Sequence, residues 1–185
     1  GSAGAPRTGH APGEADSRTR MGRRSRAAHS QQETSSAAPA AQARAAGAQL
    51  LAVINASPWR AGKPDERQQA MRQRVLETGL PLVYANLTGG QDELVFDGAS
   101  FALQADGALA GRAARFEPQL WPVQAAWQGG HLALAANSPE SPESPEGQLW
   151  AALVLALRDY ARKNGFGQAL LGLSGGIDSA LVLAL

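Results

Sequence analysis

Cysteine is absent from this 185-residue chain. That excludes a disulfide framework, a thiolate ligand and a thiolate nucleophile, and an intracellular, cytoplasmic protein is the simpler expectation. No apolar run approaches the ~18–20 residues that a membrane span needs, so no membrane partner is expected. The first residues have no apolar stretch of the kind a secretory signal requires. Histidine is scarce as well: His10, His29 and His131 are scattered, and none is placed to act as a metal ligand or a base. Methionine is missing from the start, which reads Gly1-Ser2, and first occurs as Met21. With an end that falls inside an apolar run, this predicts a fragment of a longer protein.

What is present is unevenly distributed. Residues 1–44 carry seven Arg against three acids, a net of +4, whereas residues 45–185 carry ten Lys and Arg against thirteen acids, a net of −3. Residues 1–43 are rich in Arg, Ser, Ala, Gly and Pro and show no apolar period, so they bury too little surface to offset the entropy of ordering. A disordered or unrelated basic tail is expected there. Its Arg23-Arg24-Ser25-Arg26 cluster is the one feature that suggests an anionic partner, and nucleic acid binding is not expected.

At Ala45 the pattern changes. The run ending Leu50-Leu-Ala-Val-Ile54 reads as a buried strand, and Asn55-Ala-Ser-Pro-Trp59 as a loop. Asp65 is placed to cap a polar helix from about Glu66 to Thr78, with Gly79 as its stop. Pro81–Leu87 reads as a second buried strand and Thr88–Asp92 as a loop. Residues 99–104 and 108–116 read as strands joined by Asp106-Gly107, a hairpin signal. Three Ser-Pro-Glu repeats in residues 137–147 predict a linker. The helix after it places Leu149, Leu153, Leu157 and Tyr160 on one stripe, the expected packed face, and ends at Asn164-Gly165. Trp59, Trp121, Trp127 and Trp150 are expected in packing or interfaces.

The most informative segment is Gly172-Leu173-Ser174-Gly175-Gly176-Ile177-Asp178-Ser179. A strand near Gln168–Leu173 is expected to feed it and a helix to leave it. It lacks the Gly-Lys-Ser/Thr of a Walker A loop, so no lysine rides on the outer phosphates. Its two adjacent glycines admit close backbone approach, its serines offer hydroxyls, and the helix start behind them favours an anion. Asp178 is expected to orient the loop or to lie near a magnesium-bound phosphate. The alternative is an ordinary glycine turn.

This loop resembles the PP-loop of N-type ATP pyrophosphatases. Together with Leu157-Arg-Asp-Tyr-Ala-Arg-Lys-Asn-Gly-Phe166 upstream, it is similar to the loop of glutamine-dependent NAD+ synthetases. Asn55-Ala-Ser-Pro, Gly62-Lys63, Arg67, Leu80-Pro-Leu-Val-Tyr, Asn86 and Gly89-Gly-Gln-Asp-Glu-Leu-Val-Phe-Asp-Gly-Ala-Ser100 resemble the C-terminal half of that family's nitrilase-like glutaminase domain. The resemblance implies an α/β fold: the C-terminal part of a nitrilase-like α-β-β-α sandwich, then the start of a parallel-sheet adenine-nucleotide-binding domain. It implies four regions: a basic tail (1–43), a partial glutaminase domain (44–136), a linker (137–148) and the beginning of the synthetase domain (149–185).

The family's chemistry, as the resemblance implies it, makes NAD+ from nicotinate adenine dinucleotide, ATP and glutamine-derived ammonia through an adenylated intermediate. A Glu-Lys-Cys triad releases the ammonia, and Mg2+ is expected in the complete enzyme, as is a homo-oligomer. By position in the motifs, Ser57 and Lys63 are implied as glutamine contacts, and Gly172 to Ser179 as the ATP loop. No catalytic residue is carried over, because the nucleophilic Cys is absent, and neither Glu33 nor Lys63 takes a triad role. No metal ligand is assigned: the acids around Gln91-Asp92-Glu93 and Asp97 are read as structural, with Asp97-Gly98 a turn. The isolated chain is expected to be inactive. The competing readings are another PP-loop amidotransferase, a standalone nitrilase-like amidase and a non-catalytic segment with a basic docking tail.

Overall fold

A computed structural model of the chain describes residue 1 and residues 38–138 and 144–185. Contacts divide the chain between residues 35 and 36, and the fold below is that of the second unit. The basic cluster at 23–26, His10, His29 and most of the tail lie outside the described residues. Residues 38–43 do not continue a structureless tail. They open a short helix, α1 (Ala38–Ala45), whose Arg44 donates to the carbonyl of Thr78 at 3.0 Å.

The core unit is a strand, a helix and a strand followed by a hairpin, in the order the sequence predicts. β1 (Leu51–Asn55) leads into α2 (Lys63–Thr78) and then β2 (Leu82–Asn86), which pairs with β1 in parallel. β5 (Phe101–Leu103) and β6 (Leu109–Arg112) complete an antiparallel extension, giving the order β1-β2-β5-β6. The Asp106-Gly107 turn closes as expected: Gly107 N–H donates to Gln104 O and Ala108 N–H to Asp106 Oδ1, both at 2.8 Å. Val75, Leu82, Tyr84, Phe101 and Leu103 form the core between α2 and the sheet, joined by Leu51, Val53 and Met71.

Four local expectations are revised. Asp65 does not cap α2; the helix starts earlier, with Gly62 as its N-cap, and Asp65 sits in the first turn, where a carboxylate still favours the helix dipole. Gly79 does end the helix, in a left-handed conformation, its N–H bonded to Val75 O at 2.7 Å. β1 is not buried on both faces: it is an edge strand, and Ile54 is 90% exposed. The segment read as a loop at Thr88–Asp92 is instead β3 (Thr88–Gln91), paired antiparallel with β4 (Leu94–Asp97) through a turn in which Asp92 has a positive φ of 52°.

A further hairpin, β7 (Val123–Gln128) with β8 (His131–Ala136), hangs on the end of β5. Gln104 bonds both backbone groups of Leu134, accepting from its N–H at 3.0 Å and donating to its carbonyl. Among the tryptophans, Trp59 packs its ring edge-on against Phe116 with centroids 5.5 Å apart, and Trp121 Nε1 donates to Asn137 O at 3.0 Å, while Trp127 and Trp150 are exposed.

α3 (Pro145–Lys163) begins inside the stretch expected to be linker. The third Ser-Pro-Glu repeat serves it as a start signal: Ser144 Oγ accepts from Gly147 N–H at 3.0 Å, and Pro145 occupies the first turn, where its missing N–H costs nothing. Residues 139–143 lie outside the described residues. The face that packs is also not the one expected. Leu149, Leu153, Leu157 and Tyr160 are between 41% and 54% exposed, whereas Ala152 and Leu155 are buried against Phe116, Trp59 and Val95. The helix rests on the β3–β4 hairpin.

Candidate functional site

Ser57 lies in the connection from β1 to α2, immediately past the carboxyl ends of the parallel pair β1 and β2. It is buried, and both of its backbone groups are held. Its N–H donates to Asn86 Oδ1 at 2.9 Å, and its carbonyl accepts from Asn86 Nδ2 and from Arg67, each at 3.3 Å. The neighbouring residue Asn55 turns its Oδ1 to the Ala56 N–H and its Nδ2 to the Tyr84 hydroxyl, both at 2.8 Å. Tyr84 stacks on Phe101 with centroids 4.9 Å apart. The loop therefore leaves the sheet on two asparagines, one at the end of each parallel strand.

Behind Ser57 stands an ion pair that the sequence does not announce. Arg67, on α2, is 2% exposed and meets Asp97, at the end of β4 and 0% exposed, through contacts of 2.8, 3.0 and 3.1 Å. Asn86 Nδ2 donates to Asp97 Oδ1 as well, at 3.3 Å, and the guanidinium carbon lies 5.8 Å from the centre of the Tyr84 ring. A fork-shaped guanidinium facing a carboxylate through two N–H groups is among the strongest polar contacts available to a side chain. Asp97 is thus structural, as expected, but as the buried partner of Arg67 rather than only as part of a turn. Gly98 and Ala99, both at positive φ, make that turn.

Lys63 is the first residue of α2, half-buried, and its N–H donates to Arg60 O at 3.0 Å. Ser57 and Lys63 accordingly occupy the same β1–α2 connection, six positions apart. An open concavity of about 520 Å³ adjoins this connection, lined by Ile54, Asn55, Ala56, Ala85, Asn86 and Leu87 at the carboxyl edge of the parallel strands. That edge is where open α/β sheets place ligands. On the opposite flank of α2, burial, followed by the charge of Arg115, pulls the Arg112 guanidinium below its usual value, and Arg112 donates to the Gln68 side chain.

The glycine loop lies at the other end of the chain and is exposed. Gly172, Leu173, Ser174, Gly175, Gly176, Ile177 and Asp178 are all exposed, and Ser179 is half-buried. The strand expected at Gln168–Leu173 is not formed; no neighbouring strand pairs with it among the described residues. The helix after the loop is present as α4 (Ile177–Ala184), with Gly176 as N-cap and Asp178 in its first turn. Gly175 has a φ of +82°, which side chains with a Cβ rarely adopt. The loop is tied by its hydroxyls: Ser174 Oγ and Ser179 Oγ are 3.1 Å apart, Ser179 Oγ donates to Gly176 O at 3.0 Å, and Gly176 N–H donates to Ser174 Oγ at 3.4 Å. Strand order, helix start and serine placement suit an oxyanion, whereas no side chain of the loop carries a positive charge.

A second, smaller cavity of about 190 Å³ lies between β3 and α3, with Gly90, Gln91, Asp92, Ala156, Tyr160, Lys163 and Asn164 around it. Lys163 closes it by donating to Gly90 O and Gln91 Oε1. His131 is exposed on β8. Among the described residues no three His, Cys, Asp or Glu side chains gather in a way that holds a metal ion, and none of the helices there is long and apolar enough to cross a membrane.

Comparison with known proteins gives the same family at both ends of this description. The sequence model of the NAD synthase family matches residues 149–185. A glutamine-dependent NAD(+) synthetase of Rhodobacter capsulatus is 48% identical over 146 residues, which cover 76% of this chain and 26% of that protein. One of Xylella fastidiosa is 42% identical over 147 residues, covering 80% of this chain and 27% of that protein. Among solved structures, a glutamine-dependent NAD+ synthetase from Acinetobacter baumannii, in complex with ADP, superposes with a TM-score of 0.63 at 34% identity, over 77% of this chain and 27% of that one. The chain thus spans about a quarter of the length of the relatives it matches.

Proposed function

We propose that this chain, a homologue of the glutamine-dependent NAD(+) synthetases over about a quarter of their length, is the segment of such an enzyme that carries the rim of the glutamine site and the ATP loop. The observation that carries the proposal is the order of two blocks on one chain. A serine sits at the carboxyl edge of a parallel β1–β2 pair, and a Ser-Gly-Gly-Ile-Asp-Ser turn opens α4. The complete protein would make NAD+ from nicotinate adenine dinucleotide, ATP and ammonia released from glutamine. The first block belongs to a nitrilase-like amidase part and the second to an ATP pyrophosphatase part.

Each block has a defined share of that chemistry. Ser57 and Lys63 bind the amino-acid end of glutamine, whose carboxylate suits a hydroxyl and a cation. Amide N–H groups of Gly175 and Gly176, with the Ser174 and Ser179 hydroxyls, take up phosphate oxygens as pyrophosphate leaves during adenylation. Mg2+ is the cation that commonly accompanies ATP, but Asp178 is the only carboxylate of the loop, and a magnesium site draws on more oxygen donors than one. These residues do not by themselves form a metal centre, and no step is assigned to one.

The chain holds no cysteine, so it forms no glutaminyl thioester on its own, and the proposal assigns it neither half-reaction in isolation. A cytoplasmic location and assembly of the complete enzyme into a homo-oligomer complete the proposal. The deciding experiment replaces the corresponding segment of the Rhodobacter capsulatus enzyme with residues 49–185 of this chain. Glutamine-driven NAD+ formation is expected to survive, and to fall when Ser57 or Ser174 is changed to Ala. A folded chimera without either activity, or one indifferent to both changes, overturns the proposal.

A further inference from the structure

Ser57 occupies a loop, yet its placement is fixed from outside that loop. Asn86, at the last position of β2, turns a complementary edge towards it: the carboxamide oxygen takes the Ser57 N–H and the carboxamide nitrogen reaches the Ser57 carbonyl. A primary amide is the side chain that offers one acceptor and two donors in a single plane, so it engages both backbone groups of another residue at once. The second donor position of the same nitrogen is engaged too, on Asp97 Oδ1. That contact fixes which end of the carboxamide faces which group, because a flipped amide would set oxygen against both the carboxylate and the Ser57 carbonyl. Arg67 closes the circuit by binding Asp97 and the Ser57 carbonyl together. Asn86 is held in turn by its own backbone N–H, which donates to Ser100 Oγ at 3.0 Å.

We propose that Asn86 is a positioning residue for Ser57: it locks both backbone groups of the serine to the end of β2, with the Arg67–Asp97 pair as its anchor. The inference rests on the reading of Ser57 as a glutamine contact for its functional meaning, but not for its test. The loop between Asn55 and Gly62 has no regular structure, and without this amide the serine would take its position from the loop alone. With it, the serine's register is set by a strand in the middle of the sheet. The cation–carboxylate pair is too far back to be a ligand contact, being almost wholly buried; its part is to hold the carboxamide in one orientation.

The test uses the 185-residue chain, labelled with nitrogen-15 and carbon-13. A scalar coupling through the hydrogen bond, from the Ser57 amide nitrogen to the Asn86 side-chain carbonyl carbon, is expected in the unaltered chain. Its absence, with both signals assigned, overturns the proposal without any variant having to fold. In Asn86→Ala the Ser57 amide is expected to exchange with solvent at least about tenfold faster, as befits one lost buried hydrogen bond, while the Val75 and Leu103 amides change much less. Equal acceleration at all three sites overturns the proposal, since it would mean global opening only. L-Glutamine is then titrated into both proteins. If Ser57 signals of the unaltered chain shift, the Ala variant is expected to need at least about tenfold more glutamine, and an unchanged requirement overturns a role in positioning. If they do not shift, the glutamine assignment of Ser57 fails, and the coupling and exchange still decide whether Asn86 holds it.

Discussion

Asp159 on α3 accepts a hydrogen bond from the backbone N–H of Gly90 at 2.8 Å, across 69 positions of chain. One turn further along the same helix, Lys163 donates to the carbonyl of that same glycine. A strand residue is thus gripped at both backbone groups by an acid and a base spaced four apart, which places them on one face of the helix. The approach is close: a Cβ on Gly90 would lie 3.2 Å from the Ala156 Cα and 3.3 Å from the Asp159 Cβ.

Removing the acid leaves a buried N–H without an acceptor. Asp159→Ala is expected to cost about 1–3 kcal/mol in urea unfolding, and Asp159→Asn clearly less because its carbonyl oxygen still accepts. The exposed 3.6 Å contact between Arg158 and Asp159 contributes little to this difference. Equal losses in the two variants would show that the Gly90 contact is not what Asp159 supplies.

Gly90→Ala tests the same contact from the strand side. The helix backbone, unlike a flexible side-chain end, has no cheap way to yield, so a loss of about 1–3 kcal/mol is expected, the usual range for an overpacked site. Denaturant midpoints compared at a common slope measure it. An unchanged midpoint would mean that α3 moves freely over the hairpin.

The buried pair predicts a strongly non-additive cycle. Asp97→Ala or Arg67→Ala leaves the partner charge uncompensated and is expected to cost about 3–5 kcal/mol. Exchanging both together for apolar residues of similar size, Arg67→Met with Asp97→Leu, is expected to cost well under the sum of the single changes. Urea titration of the four proteins gives the coupling, and additive losses would remove the pair from the account of this core.

Ser144 is predicted to work as a helix cap although it stands in a repeat that reads as spacer. Ser144→Ala is expected to lower stability by about 1 kcal/mol and to speed exchange at the Gly147 amide. Exchange at Gly147 that does not respond would assign the start of α3 to Pro145 alone.

These cases also show what the sequence makes legible. β1, α2, β2 and the β5–β6 hairpin are readable because their ends carry local chemistry: Gly79 in a left-handed cap, Asp106-Gly107 in a tight turn. β3 is not, since Thr88-Gly-Gly-Gln91 has neither alternation nor branched side chains, and the helix packed on it is 69 positions away at the Asp159–Gly90 contact. The α3 stripe misleads for the converse reason. Leu149, Leu153, Leu157 and Tyr160 dominate the pattern by size, yet a face that must approach a Gly-Gly strand selects Ala152 and Ala156. Of the site, Ser57, Lys63 and the glycine loop are legible as motif positions. The Arg67–Asp97 pair, 30 positions apart, follows no local rule. The run at Gln168–Leu173 has strand composition, but composition does not supply a partner strand.

The link between Ser174 and Ser179 has a consequence for any anion that arrives at their turn. The two hydroxyls are bonded to one another across 3.1 Å, so a phosphate oxygen that engages either must first uncouple them. Recognition here is an exchange of partners rather than a simple addition, and its strength is the difference between the incoming contacts and the outgoing one. A serine removed from this turn frees its counterpart while deleting a contact, so the affinity lost for inorganic pyrophosphate in Ser179→Ala should be smaller than a count of missing hydrogen bonds implies.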